Sequence, residues 1–261
     1  MFEHNTIRSI AATATIVICA ATGCHGAISD SLAHAEQVAA SCPSDGSRVA
    51  ALVASDESGS RHGATAQPAQ QHVLQTVAER TAICGGHLRV VIFAGSTVGL
   101  TVFDEDLQLD GATATARLRK TAAAVDAVMQ QINTALSGVA NELPDGATDV
   151  VGQYQPGAEY LSQLSVSEAY RLEETVLTDG IQTAEPDLSD PALTSAQAET
   201  LAATVTVPTL PGADVRLIGI GRQTDGSLLP TPYVAALRAF HTAVCKRTQA
   251  TCTVVTDAAG A

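Results

Sequence analysis

Five side chains that carry oxygen donors stand in three separate segments of the chain. In the stretch VAALVASDESGSRHGA, Asp56, Ser58 and Ser60 occupy alternate positions directly after an apolar run of strand length. Thr148 lies in a turn before a predicted helix, and Asp179 follows a second predicted strand. Carboxylate and hydroxyl oxygens suit a hard divalent cation such as Mg²⁺. Because a tight turn can direct alternate residues towards one point, these oxygens could form a metal site.

The elements around these residues alternate between strand-like and helix-like patterns. Apolar runs of strand length predict four strands, in VAALVAS, LEETVLT, DVRLIGIGR and CTVVTD, and a hairpin in LRVVIFAGSTVGLTVF. Helical periodicity predicts five helices, in PAQQHVLQTVAERTAIC, residues 112–143, VVGQYQPGAEYLSQL, TSAQAETLAATV and PTPYVAALRAFHTAVCKR. This order predicts an α/β fold, with an open, doubly wound and mostly parallel sheet, one antiparallel edge strand and helices on both faces. In such a sheet, ligands bind at the carboxyl ends of the strands where the strand order reverses.

Three local features carry specific expectations. One apolar stripe runs through residues 112–143, which predicts a single long helix packed on the sheet. Pro156 is expected to kink or break the helix that follows Thr148. Glu173 and Glu174 begin a strand that should be mostly apolar, so burial of that strand is expected to start only at Thr175.

Composition limits the classes of partner. The 261 residues are enough for one domain with a substantial core, and nothing indicates a second domain. The chain has 14 basic and 27 acidic residues, a net charge of −13, and only 3% aromatic residues. Phosphate contacts need cations and base stacking needs aromatic rings, so nucleic acid is excluded as a partner.

The N-terminal residues predict export. A short polar segment with Arg8 precedes an apolar run and small residues before Cys24, the pattern of a signal peptide over residues 1–23. The sequence ATGC resembles a bacterial lipoprotein cleavage site, in which Cys24 would carry lipid and anchor the protein on the outer face of the membrane; plain secretion is the alternative. Residues 24–46 are mostly small or polar and predict a tether, and residues 47–261 form the predicted domain.

The order of the motifs resembles a known family. DESGS, then GATDVVGQYQPGAEYL, then VLTDG are similar to the von Willebrand factor type A (vWA) domain with its metal-ion-dependent adhesion site (MIDAS), on a Rossmann-like fold. The likeness extends roughly from Val49 to Asp257. It implies that Ser58, Ser60 and Thr148 ligate Mg²⁺ (or Mn²⁺ or Ca²⁺) directly and that Asp56 and Asp179 hold metal-bound waters. One coordination position would then stay open for an Asp or Glu of a protein partner.

Four further cysteines fit an oxidising compartment. Cys42, Cys84, Cys245 and Cys252 are an even set, and four cysteines allow three disulfide connectivities. In the predicted topology, Cys42 precedes the first strand and Cys84 ends the first helix, whereas Cys245 and Cys252 flank the last turn. We therefore predict the pairs Cys42 with Cys84 and Cys245 with Cys252, both at the end of the sheet opposite the metal.

Two other functions stay open beside a binding module that is not an enzyme. A bound ion could act as a Lewis acid in a hydrolase, but the candidate general bases, Glu57 and His62, are of uncertain direction. A structural component of the cell envelope could use the metal only to stiffen loops, or keep the motif without it. The long segment from Ile181 to Pro211 leaves the metal edge and is the predicted specificity element.

Overall fold

The computed structural model describes residues 23–58, 68–94, 99–139, 146–223 and 226–257. The predicted signal peptide, apart from Gly23, lies outside these residues, as do Ser60, His62 and the tip of the predicted hairpin. The helices are α1 Gly23–Ala40, α2 Pro68–Cys84, α3 Ala114–Leu118, α4 Thr121–Val139, α5 Tyr154–Leu164, α6 Ser195–Ala202 and α7 Thr231–Arg247, with a 3₁₀ turn at Val151–Gln153 before α5. The strands are β1 Arg48–Asp56, β2 Gly86–Phe93, β3 Leu100–Leu107, β4 Tyr170–Leu177, β5 Asp214–Ile218 and β6 Thr251–Val255.

The strands form one sheet in the order β3-β2-β1-β4-β5-β6. All neighbouring strands are parallel except β2 and β3, which are antiparallel and form one edge. The predicted fold class is therefore confirmed. From β1 the chain adds β2 and β3 on one side of the sheet, and it then adds β4, β5 and β6 on the other side. The strand order therefore reverses between β1 and β4.

Helices cover both faces of the sheet, and the side chains of β1 pack into the cores on both faces. Alternate residues of a strand point to opposite faces. Val49, Ala51 and Val53 belong to a core with α2 and α4, whereas the intervening apolar residues of β1 belong to a second core with α5, α6 and α7. A strand covered on both sides needs a nearly continuous apolar run, which is what VAALVA supplies.

The segment predicted as a tether contains a helix. α1 packs against α2 and α3, and Ala35 within it is almost fully buried. His34 Nε2 lies 3.2 Å from Glu79 Oε2 of α2. Small residues such as alanine favour a helix when a partner surface is present, and composition alone does not reveal that surface. Cys24 lies in the first turn of α1, and its lipidation stays a prediction.

The helix predicted for residues 112–143 is divided in two. α3 ends at Leu118 and α4 begins at Thr121, so the prediction of one continuous helix was wrong. Val125 and Ile132 from the predicted apolar stripe are buried, together with Val128, whereas Ala122 is exposed. The central part of the stripe still packs on the sheet, because Val125, Val128 and Ile132 share a core with residues of β1 and β2.

Pro156 does not break the helix after Thr148, because α5 continues through it. A 3₁₀ turn at Val151–Gln153 leads into α5, which begins at Tyr154 and so holds Pro156 in its first turn. Backbone N–H groups in a first turn have no intrahelical acceptor, so proline loses nothing there. The expected disruption was wrong because the helix starts later than the sequence pattern indicated.

Both predicted disulfides are present. Cys42 is bonded to Cys84, and Cys245 to Cys252. The first joins the chain before β1 to the end of α2, and the second joins α7 to β6. Both lie towards the amino ends of the strands, opposite the edge where Asp56 ends β1. Within the described ranges, no helix has the length and hydropathy needed to cross a membrane.

Candidate metal site at the switch point of the sheet

The carboxyl ends of β1 and β4 bring two of the predicted site segments together. The two strands are adjacent and parallel, with Ser55 paired to Leu177. Asp56 is the last residue of β1, and Thr178 and Asp179 directly follow β4. The strand order reverses at this point, which is where ligands bind in open α/β sheets. The sequence therefore placed Asp56 and Asp179 at one edge correctly.

The Asp56 carboxylate is fully buried and held by its neighbours. Its Oδ1 accepts a hydrogen bond from the backbone N–H of Ser58 at 2.9 Å, and its Oδ2 accepts one from the Thr178 hydroxyl at 2.7 Å. Burial raises the pKa of Asp56 above its ordinary value, and the nearby charge of Asp179 raises it further. Hydrogen bonds from Ser58 and Thr178 act in the opposite direction. Two carboxylates that repel each other in a buried place would be stabilised by a cation.

The turn that carries Asp179 is fixed on several sides. Asp179 Oδ1 accepts from the Ile181 N–H at 2.9 Å, and its backbone carbonyl accepts from the Gly221 N–H at 2.7 Å. Gly180 has a φ of +82°, a left-handed conformation that glycine adopts without steric cost. His241 of α7 is fully buried, with Nε2 2.8 Å from the Gly180 carbonyl oxygen. Asp179 therefore occupies a rigid position.

The Thr148 segment is tied to the chain that leaves this turn. Thr148 is buried, and its backbone N–H donates to Thr183 Oγ1 at 2.7 Å. Its carbonyl oxygen accepts from the N–H groups of Thr183 at 3.1 Å and Ala184 at 3.0 Å. These bonds hold Thr148 close to a segment only four residues beyond Asp179. The third predicted segment is thus attached to the same edge of the sheet, and Ser60 is the one predicted ligand that lies outside the described residues.

The donor set fits a hard cation by its chemistry. Asp56, Ser58, Thr148 and Asp179 are all buried and offer carboxylate and hydroxyl oxygens, which Mg²⁺ and Mn²⁺ prefer. In the described ranges, no group of three or more His, Cys, Asp or Glu residues could hold a metal ion. The predicted set does not require one, because it combines two carboxylates with hydroxyl groups.

Thr178 is a site residue that the sequence analysis missed. Its hydroxyl donates to Asp56 Oδ2 and accepts from the Gly180 N–H at 3.0 Å, so it joins the end of β1 to the Asp179 turn. The signal was available: a hydroxyl directly before the predicted ligand Asp179, at the end of a strand predicted to lie near Asp56. It was interpreted only as the end of that strand.

We expect Thr178→Val to destabilise the metal-free protein by about 1 to 3 kcal/mol, because the buried Asp56 carboxylate would lose a hydrogen-bond donor. Thr178→Ser keeps the hydroxyl and is the matched control, with a smaller loss from one missing methyl group. Urea unfolding of both variants in chelator measures the difference. A Val variant as stable as the Ser variant would show that this hydrogen bond does not support the site.

Comparison with known proteins gives likenesses only among solved structures. No protein-family model and no curated protein sequence matches the chain. BatB from Bacteroides thetaiotaomicron is similar at 13% identity over 80% of this chain and 91% of its own, with a TM-score of 0.39. The ArnB paralog VWA2 from Sulfolobus acidocaldarius is 13% identical over 81% of this chain and 42% of its own, with a TM-score of 0.38. Manganese-loaded Plasmodium vivax TRAP is 14% identical over 78% of this chain and 74% of its own, with a TM-score of 0.37.

Proposed function

We propose that this protein is an exported binding module that uses a divalent cation at the switch point of its sheet to hold an acidic residue of a protein partner. The observation that carries the proposal is the buried pair Asp56 and Asp179, fixed by hydrogen bonds at the ends of adjacent strands. Asp56, Ser58, Ser60, Thr148 and Asp179 would hold the ion. When bound, the ion supplies a positive charge that can accept a carboxylate.

Net charge supports a requirement for the metal. At −13, the overall charge of the protein disfavours the approach of an acidic partner, so a local positive charge would favour its binding. An ion at this edge would provide that charge. Binding of an acidic partner should therefore depend strongly on the cation and weakly on the rest of the surface.

The segment predicted to set specificity lines a cavity beside Thr148. This cavity has a volume of about 510 Å³. On one side it is lined by residues between Asp149 and the start of α5, and on the other by Glu185–Pro186 and Thr204–Pro208 from the segment after Asp179. It is open to solvent, and its volume is within the range of ligand-binding clefts. We assign to this cavity a partner side chain next to the acidic residue that reaches the ion.

The proposal describes a binding protein rather than an enzyme. Glu57, one of the two candidate general bases, accepts a hydrogen bond from the Ser55 hydroxyl at 3.1 Å. The two disulfides accord with export, because disulfides persist in oxidising compartments. A lipid on Cys24 would add attachment to the outer face of the membrane.

Selection from a random peptide library tests the proposal without requiring that the natural partner be identified. The immobilised protein is exposed to the library in Mg²⁺, and bound peptides are released with chelator. We expect the released peptides to share an essential Asp or Glu, and to lose binding to Asp56→Ala and after change of that residue to Asn or Gln. Release of no peptide by chelator, or of peptides that need no acidic residue, would contradict the proposal.

A further inference from the structure

Glu174 is a carboxylic acid in the interior of the sheet. It lies in the middle of β4, paired with Leu52 of β1 on one side and Val215 of β5 on the other. It is fully buried, and Leu172 and Val176, two residues before and after it, belong to the apolar core with α5. The expectation that burial of this strand begins only at Thr175 was therefore wrong.

The carboxyl group of Glu174 has no hydrogen-bond partner among the residues that the structure describes, at either oxygen. The preceding residue shows the opposite arrangement. Glu173 points to the other face, where Arg80 Nε and Nη2 donate to its two oxygens, each at 2.7 Å. Within the described residues, the charge of Glu173 is neutralised by Arg80, whereas Glu174 has no cation beside it. A buried carboxylate without compensation is costly, whereas the protonated acid is far less so.

The helix α5 lies directly on this carboxyl group. A Cβ atom added at Gly157 would stand 2.5 Å from Glu174 Oε2, so only glycine allows this approach. Tyr154, one turn earlier in α5, also has a buried hydroxyl without a partner in the described part of the chain. Burial raises the pKa of Tyr154, and the charge of Glu174 raises it further. A negative charge on Glu174 therefore interacts electrostatically with a side chain of α5.

Burial raises the pKa of Glu174 to about 8. Burial is the only cause of this raised pKa, and no charged side chain of α5, β1 or β5 lowers it. In the unfolded chain the same group has its ordinary pKa of 4.5. Folding therefore takes up a proton at this residue over the interval between these two values.

We propose that Glu174 is a proton-linked contact between β4 and α5, neutral when α5 is seated on the sheet and loosening that helix when it ionises. The contact joins the strand that precedes Asp179 to the helix that follows Thr148. It would make the stability of this part of the domain depend on pH whether or not a metal is bound. The inference does not rest on the proposed binding function.

The sign of the effect follows from proton uptake. Between pH 4.5 and about 8 the folded state holds a proton that the unfolded state has lost, so stability falls as pH rises through this window and levels off above it. The unfolding equilibrium constant of the wild type should rise, relative to that of Glu174→Gln, by up to about tenfold per pH unit. Asp56 and other acids also titrate, and the comparison between the two proteins removes their contribution.

Urea unfolding in chelator at pH 5, 6, 7, 8 and 9 tests the proposal with the full chain. We expect the pH dependence to weaken equally in Glu174→Gln and Glu174→Leu, two neutral residues of similar size, so a folding failure of one leaves the other. Glu173→Gln is the matched control and should keep the wild-type dependence. Hydrogen exchange, corrected for intrinsic pH effects, should show α5 losing more protection from pH 6 to pH 9 in the wild type than in Glu174→Gln. Equal pH dependence in the wild type and both Glu174 variants would overturn the proposal.

Discussion

Saturating Mg²⁺ is expected to raise the melting temperature of the wild-type protein by about 5 to 10 °C. A ligand at about 100 times its dissociation constant stabilises the folded state by about 2.7 kcal/mol, and each kcal/mol shifts the melting temperature of a domain of this size by about 2 to 4 °C. The ion should bind the folded state because Asp56 and Asp179 are buried together there. Thermal unfolding with Mg²⁺ and with chelator measures the shift.

The Asp56→Ala variant should show no such rise. Glu57→Gln is the control, because Glu57 is adjacent in sequence but accepts a hydrogen bond from Ser55 and is outside the predicted ligand set. It should retain the full wild-type shift. An equal shift in Asp56→Ala and wild type would place the stabilising ion elsewhere on the protein.

Removal of the Cys42–Cys84 disulfide should cause a larger loss of stability than removal of Cys245–Cys252. The cysteines of the first pair are 42 residues apart in sequence, against 7 for the second. A crosslink restricts the unfolded chain more when it closes a longer loop, which gives about 4 kcal/mol for the first and about 2 kcal/mol for the second. Paired Cys→Ser variants, unfolded in denaturant without reductant, measure both values.

The test depends on which disulfide causes the larger loss of stability, because packing at each site also contributes to the measured values. Cys245 is fully buried, and replacing it with Ser adds a cost from a buried hydroxyl. Replacing Cys245 and Cys252 with Ala instead avoids that cost and is the matched control. A greater loss from the Ala pair at positions 245 and 252 than from removal of Cys42–Cys84 would contradict the loop-closure account.

Elements with a strong local pattern were predictable from the sequence. The apolar run of β1 and the Pro232 start of α7 indicated elements that the structure contains. The antiparallel β2 and β3 were predicted from two short apolar runs around a small turn. Such patterns specify element type because the apolar spacing matches the geometry of one element and not the other.

Features that depend on tertiary neighbours were not predictable. The tether became α1 because α2 offers a surface for it, and the burial of Glu174 requires α5 to lie over it with Gly157 at the contact. The site shows the same division. Asp56 and Asp179 were placed correctly because each follows a strand, whereas the hydrogen bond from Thr178 to Asp56 depends on the register of β1 with β4.

The most direct test of the proposed metal site is calorimetric titration of Mg²⁺ and Mn²⁺ into the purified protein and into Asp56→Ala. Each titration is run with and without acetate, which offers a carboxylate for the open coordination position. We predict saturable one-to-one binding by the wild type that is lost in the variant. Equal binding by both proteins, or no saturable binding by the wild type even with acetate, would contradict a metal site at the switch point of the sheet.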